Sequence, residues 1–137
     1  MIGVVVVTHG RLATELVNAA EMIVGELPQC AAVSIGWHDD VSDAREQIAR
    51  AVARVKVPSG VLILTDMFGG TPSNLGISLI EENTVEVITG VNLPMLVKVA
   101  RQKEGTGIHE LAELARDYGR RNISVASDLL GNREPDK

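Results

Sequence analysis

Two short stretches of this chain put reactive side chains just past the ends of apolar runs. Thr8-His9-Gly10 follows Ile2–Val7, and Asp66 follows Val61–Thr65. An imidazole attacks phosphorus through a ring nitrogen that carries a free lone pair, so the other nitrogen must hold the proton. A carboxylate bonded to that N–H fixes the tautomer and the ring orientation. It also stabilises the positive ring formed on attack, as the aspartate of a serine-protease triad does for its histidine. Asp66 is the candidate for this role, because it ends a strand expected to neighbour the first. Gly69-Gly70-Thr71-Pro72 comes next and reads as a tight turn opening a helix. Such a turn offers backbone N–H groups and the positive end of a helix dipole to an anion. A phosphoryl group on His9 would bring about two negative charges to it. Taken singly, His9 could cap a turn, Asp66 could form an Asx turn and the glycines could serve the chain reversal alone. Their convergence on one sheet edge is what favours phosphate chemistry, with histidine as nucleophile.

These groups need a scaffold, and the hydrophobic pattern supplies one. Strand-like runs at Ile2–Val7, Ala31–Ile35, Val61–Thr65 and Val85–Thr89 alternate with helical periodicities. The first helix carries Leu12, Leu16, Ala19, Ala20 and Ile23 and stops at Gly25 and Pro28. The second, capped by Ser42, turns Ala44, Ile48, Val52 and Val55 inward. Thr71 as N-cap and Pro72 as first residue open the third, with Leu75, Leu79 and Ile80 facing the sheet. Asn92 and Pro94 start a helix with Met95, Leu96, Val99 and Ala100. A last helix holds Ile108, Leu111, Ala112, Ala115 and Tyr118 and ends at Gly119. Ile123–Ala126 suits a short fifth strand, and residues 131–137 read as a flexible polar tail. Repeated βα units predict an α/β fold: an open, mostly parallel sheet with helices on both faces and one domain over residues 1–130. Ligands then bind beyond the carboxyl ends of the strands. His9, Trp37, His38, Asp66 and Asn92 all fall on that rim.

Bulk composition narrows the function classes. The chain has 137 residues, 18 acidic and 13 basic, for a formal net charge of −5, and no basic stripe interleaved with aromatics, which argues against nucleic-acid binding. Aromatics are 2% of residues, so Val, Leu, Ile and Ala must build the core. No apolar run reaches membrane-spanning length and no secretion signal opens the chain. Cys30 is the single cysteine, which excludes an internal disulfide and suits a cytoplasmic location. It sits beside Ala31 and Ala32 and reads as a small packing residue. Three scattered histidines and one cysteine give no metal site. The nucleotide-binding GxxxxGK[ST] and GxGxxG patterns are absent, which argues against an ATP-dependent or dinucleotide-dependent enzyme. No cofactor is expected. Trp37 and His38 are candidate partner contacts on the rim, whereas His109 reads as an exposed residue at a helix start.

Taken in order, the motifs resemble those of the IIA component of the mannose-type (mannose/fructose/sorbose) sugar phosphotransferase system. They are Thr8-His9-Gly10, Ala20-Glu21-Met22 with Gly25-Glu26, Thr65-Asp66, Gly69-Gly70-Thr71-Pro72 with Asn74, and Glu86 through Leu96. The resemblance runs from Met1 to about Ala126. It implies that His9 is phosphorylated, that Asp66 is its partner, and that the loop from Met67 to Thr71 binds the phosphoryl group. It implies the phosphocarrier protein HPr as donor and a IIB protein as acceptor, with contact to a membrane only through a permease complex. It also implies a homodimer in which the last strand, here Ile123–Ala126, crosses antiparallel to the partner's sheet. Mannose importers of this family often carry Trp where this chain has Phe68, and another residue at Met67. Position 11, here Arg11, also varies, so Arg11 and Phe68 join the candidate partner contacts. The related dihydroxyacetone-kinase phosphodonor subunit typically has Ser-His-Ser and lacks the Gly-Gly-Thr-Pro run. The chain ends before a linker or IIB domain, so the expected IIB is a separate chain. The expected function is phosphoryl transfer for carbohydrate uptake. The alternatives are a regulatory module whose partners read the phosphorylation of His9, and a flavodoxin-like ligand binder.

Overall fold

The computed structural model describes residues 1–36 and 39–131. Trp37, His38 and residues 132–137, most of the expected tail, lie outside the described residues. The elements follow the order β1 (Gly3–His9), α1 (Leu12–Val24), β2 (Cys30–Ile35), α2 (Val41–Val55), β3 (Val61–Thr65), α3 (Thr71–Ile77), β4 (Val85–Thr89), α4 (Leu93–Ala100), α5 (Ile108–Arg121) and α6 (Ala126–Leu129). The four strands pair in the order β2-β1-β3-β4, all parallel. Chain order reverses between β1 and β3, so the two strands carrying His9 and Asp66 flank the topological switch point.

The near-continuous apolar strands follow from burial on both faces. Successive side chains alternate, and each set meets different helices. Val4, Val6, Leu62 and Leu64 pack with Ala13, Ala20, Leu96, Val99 and Leu111, under α1, α4 and α5. Val5, Val7, Val33 and Ile63 pack with Ala44, Ile48 and Leu75, under α2 and α3. Helices thus cover both faces, as the strand–helix alternation predicts. Cys30 is buried beneath α1. Burial, with the nearby Glu21 charge and against that of Arg54, pushes its thiol up to about 12, so it stays protonated. Among the described residues, no helix is long and apolar enough to cross a membrane.

Several local expectations shift. In α1 the buried face is Ala13 and Ala20, flanked by Leu16, Val17 and Val24, while Leu12 and Ile23 are exposed. The cap of α2 is Asp40, whose carboxylate accepts from the Ser42 N–H. In α3 the N-cap is Gly70, which places Thr71 and Pro72 one position further into the helix. That helix ends at Ile77, before Leu79 and Ile80, and Ile80 is exposed. Gly119 does not stop α5. It sits inside the helix, where an added Cβ would stand 3.0 Å from Met95 Cε and 3.3 Å from Asn92 Oδ1. The residue is small because α4 and α5 cross there. Asn92 locks that crossing by accepting from the Met95 N–H and donating to the Gly119 carbonyl. Within the single chain Ile123–Ala126 forms no strand: it leads into α6, with Ile123 and Val125 exposed.

Candidate active site

His9 is the last residue of β1, in register with Ile35 of β2. The strand therefore runs through the histidine instead of stopping before it. Two bonds close the turn behind it. The Gly10 N–H donates to the Ile35 carbonyl at 2.8 Å, and the buried Thr8 hydroxyl accepts from the Ala13 N–H at 2.6 Å. Thr8 thus serves one of the N–H groups that the start of α1 leaves unpaired. On the neighbouring strand Thr65 pairs with Val7, and its carbonyl accepts from the Gly90 and Val91 N–H groups, both at 2.9 Å. Asp66 follows directly and leaves the sheet beside His9.

The two side chains meet. His9 Nδ1 lies 2.8 Å from Asp66 Oδ2, and the same oxygen accepts from the His9 backbone N–H at 3.0 Å. The other carboxylate oxygen accepts from the Met67 N–H at 3.0 Å. An ionised carboxylate only accepts hydrogen bonds, so Nδ1 carries the proton and Nε2 is the nitrogen left with a lone pair. The His9 side chain is 51% exposed and that of Asp66 only 14%. Partial burial is the largest single influence on Asp66 and pushes its pKa up. The bonds from the His9 ring and backbone, the His9 charge and the Met67 N–H outweigh it together, and the carboxyl is held below its ordinary value.

Nε2 faces the glycine turn. A Cβ on Gly70 would stand 2.7 Å from His9 Cε1 and 3.0 Å from Nε2, so only glycine lets the turn lie this close to the ring. Gly69 adopts φ +96°, a conformation that side-chain-bearing residues rarely take. Of the loop positions expected to meet a phosphoryl group, two have their N–H groups in use. Met67 donates to Asp66, and Gly69 donates to Ser73 Oγ at 2.9 Å. The Gly70 and Thr71 N–H groups have no hydrogen-bond partner among the described residues. Met67 and Phe68 are exposed on the loop's outer side, and Arg11 is exposed at the start of α1. Trp37 and His38 lie outside the described residues. His109 stands away from this site, with Nδ1 3.6 Å from Glu86 Oε2.

Three contributors escape the motif reading: Thr8, Ser73 and the close approach of Gly70. Ser73 is fully buried at the third position of α3, where its hydroxyl accepts from Gly69 and donates to the Gly70 carbonyl at 3.1 Å. Its reach back to the N–H before the Gly70 cap goes one residue beyond the bond of a capping box, which ends on the cap's own N–H. Among the described residues, no cluster of three His, Cys, Asp or Glu could hold a metal ion.

Known proteins share this arrangement of elements. The profile of the EIIA-man family, described as PTS system fructose IIA component, matches residues 3–116. The "PTS system mannose-specific EIIAB component" of Escherichia coli (strain K12) is 33% identical over 131 residues; the match covers 90% of this chain and 39% of that relative. The "PTS system fructose-specific EIIA component" of Bacillus subtilis (strain 168) is 30% identical, with 95% of this chain and 90% of the relative covered. Among solved structures, the mannose/sorbose specific IIA subunit from Enterococcus faecalis superposes with a TM-score of 0.81 at 29% identity, covering 90% of this chain and 93% of that one. With the profile spanning most of the chain and a full-length relative at 30% identity, the chain belongs to the EIIA-man family of phosphotransferase-system IIA components.

Proposed function

We propose that this IIA domain, residues 1–130, carries a phosphoryl group on His9 Nε2 from phosphorylated HPr to a IIB protein, in service of carbohydrate uptake at a cytoplasmic face. The observation that carries this reading is the 2.8 Å contact between His9 Nδ1 and Asp66 Oδ2, with the opposite ring nitrogen beside Gly70. In the transfer, the Nε2 lone pair forms a bond to phosphorus as the P–N bond of the donor phosphohistidine breaks. The electron pair of that bond returns to the donor ring. The Nδ1 proton stays in place, and Asp66 balances the positive charge the ring acquires. Phosphoryl transfer through a loose transition state needs chiefly position and charge stabilisation. The Gly70 and Thr71 N–H groups and the Thr71 hydroxyl supply it, while Met67 and Gly69 shape the loop. The donor is already activated, so neither nucleotide nor metal enters the scheme. Arg11 and Phe68, exposed around the ring, are the proposed contacts for HPr and IIB.

A homodimer belongs to the same reading. β4 is an edge strand, and a cleft of about 560 Å³ runs along it, lined by residues of β4 and α5 and by Ile123. Beyond α5, Ile123, Val125, Leu129 and Leu130 are all exposed. An exposed apolar segment next to an open sheet edge favours exchange of that segment between two copies.

The test is incubation with phosphorylated HPr. The wild-type chain is expected to take up one acid-labile phosphate per chain, and His9→Ala none. Stoichiometric uptake by His9→Ala would overturn the assignment.

A further inference from the structure

We propose that Ser73 is a positioning residue for phosphoryl transfer, acting through the Gly69-Gly70 turn on the space around His9 Nε2; the inference rests on the reading of His9 given above. The Ser73 side chain is fully buried, yet its hydroxyl is used twice, by the Gly69 N–H at 2.9 Å and the Gly70 carbonyl at 3.1 Å. The Asn74 N–H adds a second bond to the same carbonyl at 3.0 Å. In a trans peptide the C=O and the next N–H point in opposite directions. Turning the Gly70 carbonyl inward to Ser73 and Asn74 therefore turns the Thr71 N–H the other way, out of the helix. Ser73 likewise draws the Gly69 N–H inward, so that donor is removed from the set facing the ring. It stabilises the Gly69 backbone in its φ of +96° and holds Gly70 against the ring.

Removing the hydroxyl frees both peptides. Ser73→Ala is expected to lower kcat for phosphate uptake from phosphorylated HPr about tenfold, roughly the loss of one to two neutral hydrogen bonds. KM for phosphorylated HPr should stay within about twofold, because Ser73 is buried and touches no partner. Amide hydrogen exchange should quicken at Gly69 while Val5 and Ile63, in the sheet core, keep wild-type protection. Ser73→Cys, similar in size but a weak donor and acceptor, is expected to fall between the two. If Ser73→Ala does not fold, Ser73→Cys decides: a wild-type kcat overturns the proposal and a kcat reduced at unchanged KM supports it. For Ser73→Ala, wild-type kcat with faster exchange at Gly69 overturns it, leaving His9 untouched as phosphate acceptor. No uptake even by the wild-type chain would overturn the reading of His9, and the Ser73 role with it.

Discussion

Asp66 accepts three hydrogen bonds, two of them from His9, and these hold its carboxyl below the ordinary value against the opposing effect of burial. A group with a depressed folded pKa adds stability that is fully present above its unfolded value of about 3.9, and lost as pH falls through the folded one. The stability advantage of wild type over Asp66→Asn, measured by urea unfolding, should therefore hold at neutral pH and shrink below about pH 4. The same substitution should slow phosphorylation by roughly 10²-fold or more, because an amide can donate to Nδ1 and leave the proton on Nε2. Rapid-quench uptake from phosphorylated HPr checks this; a rate within about threefold of wild type would contradict the tautomer argument. His9 and Asp66 were legible in the sequence because each follows an apolar run that can only be a buried strand. Ser73 was not, since nothing in Thr71-Pro72-Ser73-Asn74 says which way a hydroxyl points until Gly70 is known to be the cap.

Strand ends carry the candidate site, and two buried threonines there make opposite predictions. Thr8 Oγ1 serves the Ala13 N–H, whereas Thr65 Oγ1 is buried without a partner among the described residues. Thr8→Val should cost about 1–3 kcal/mol, since it leaves that N–H unpaired, while Thr65→Val should be neutral or stabilise by about 1 kcal/mol. Chemical denaturation of both variants checks the pair; equal losses would contradict the bonding described. At this scale the sequence specified strand positions well, because apolar runs bounded by Gly and Pro allow little sliding. Helix starts moved by a residue or two, as at Asp40 and Gly70, because cap choice depends on local geometry among neighbouring polar or small residues. Gly119 shows a further limit. A glycine read as a helix stop is there to let two helices cross, and only the packing of α5 on Asn92 and Met95 reveals it.

Across the whole molecule, the proposed site lies past the carboxyl ends of β1 and β3, and the β4 edge lies next to the exposed C-terminal apolar segment. The parallel topology follows from the βα alternation, whereas Ile123–Ala126, apolar enough to read as a strand, forms none within the single chain. Removal of residues 124–137 takes away Val125, Leu129 and Leu130 of the exposed apolar segment and keeps α5 with its Asn122 cap. Sedimentation should show a dimer for the full chain and a monomer for the truncated one. A truncated chain that still sediments as a dimer would contradict segment exchange.

In the proposed phosphocarrier the phosphoryl group resides on His9 Nε2 while Asp66 holds Nδ1. Long-range ¹H–¹⁵N correlation of the phosphorylated, ¹⁵N-histidine-labelled protein reads this directly. Phosphorus coupling and the phosphorylation shift are predicted at His9 Nε2, with Nδ1 protonated. Phosphate on Nδ1, or on a histidine other than His9, would contradict it.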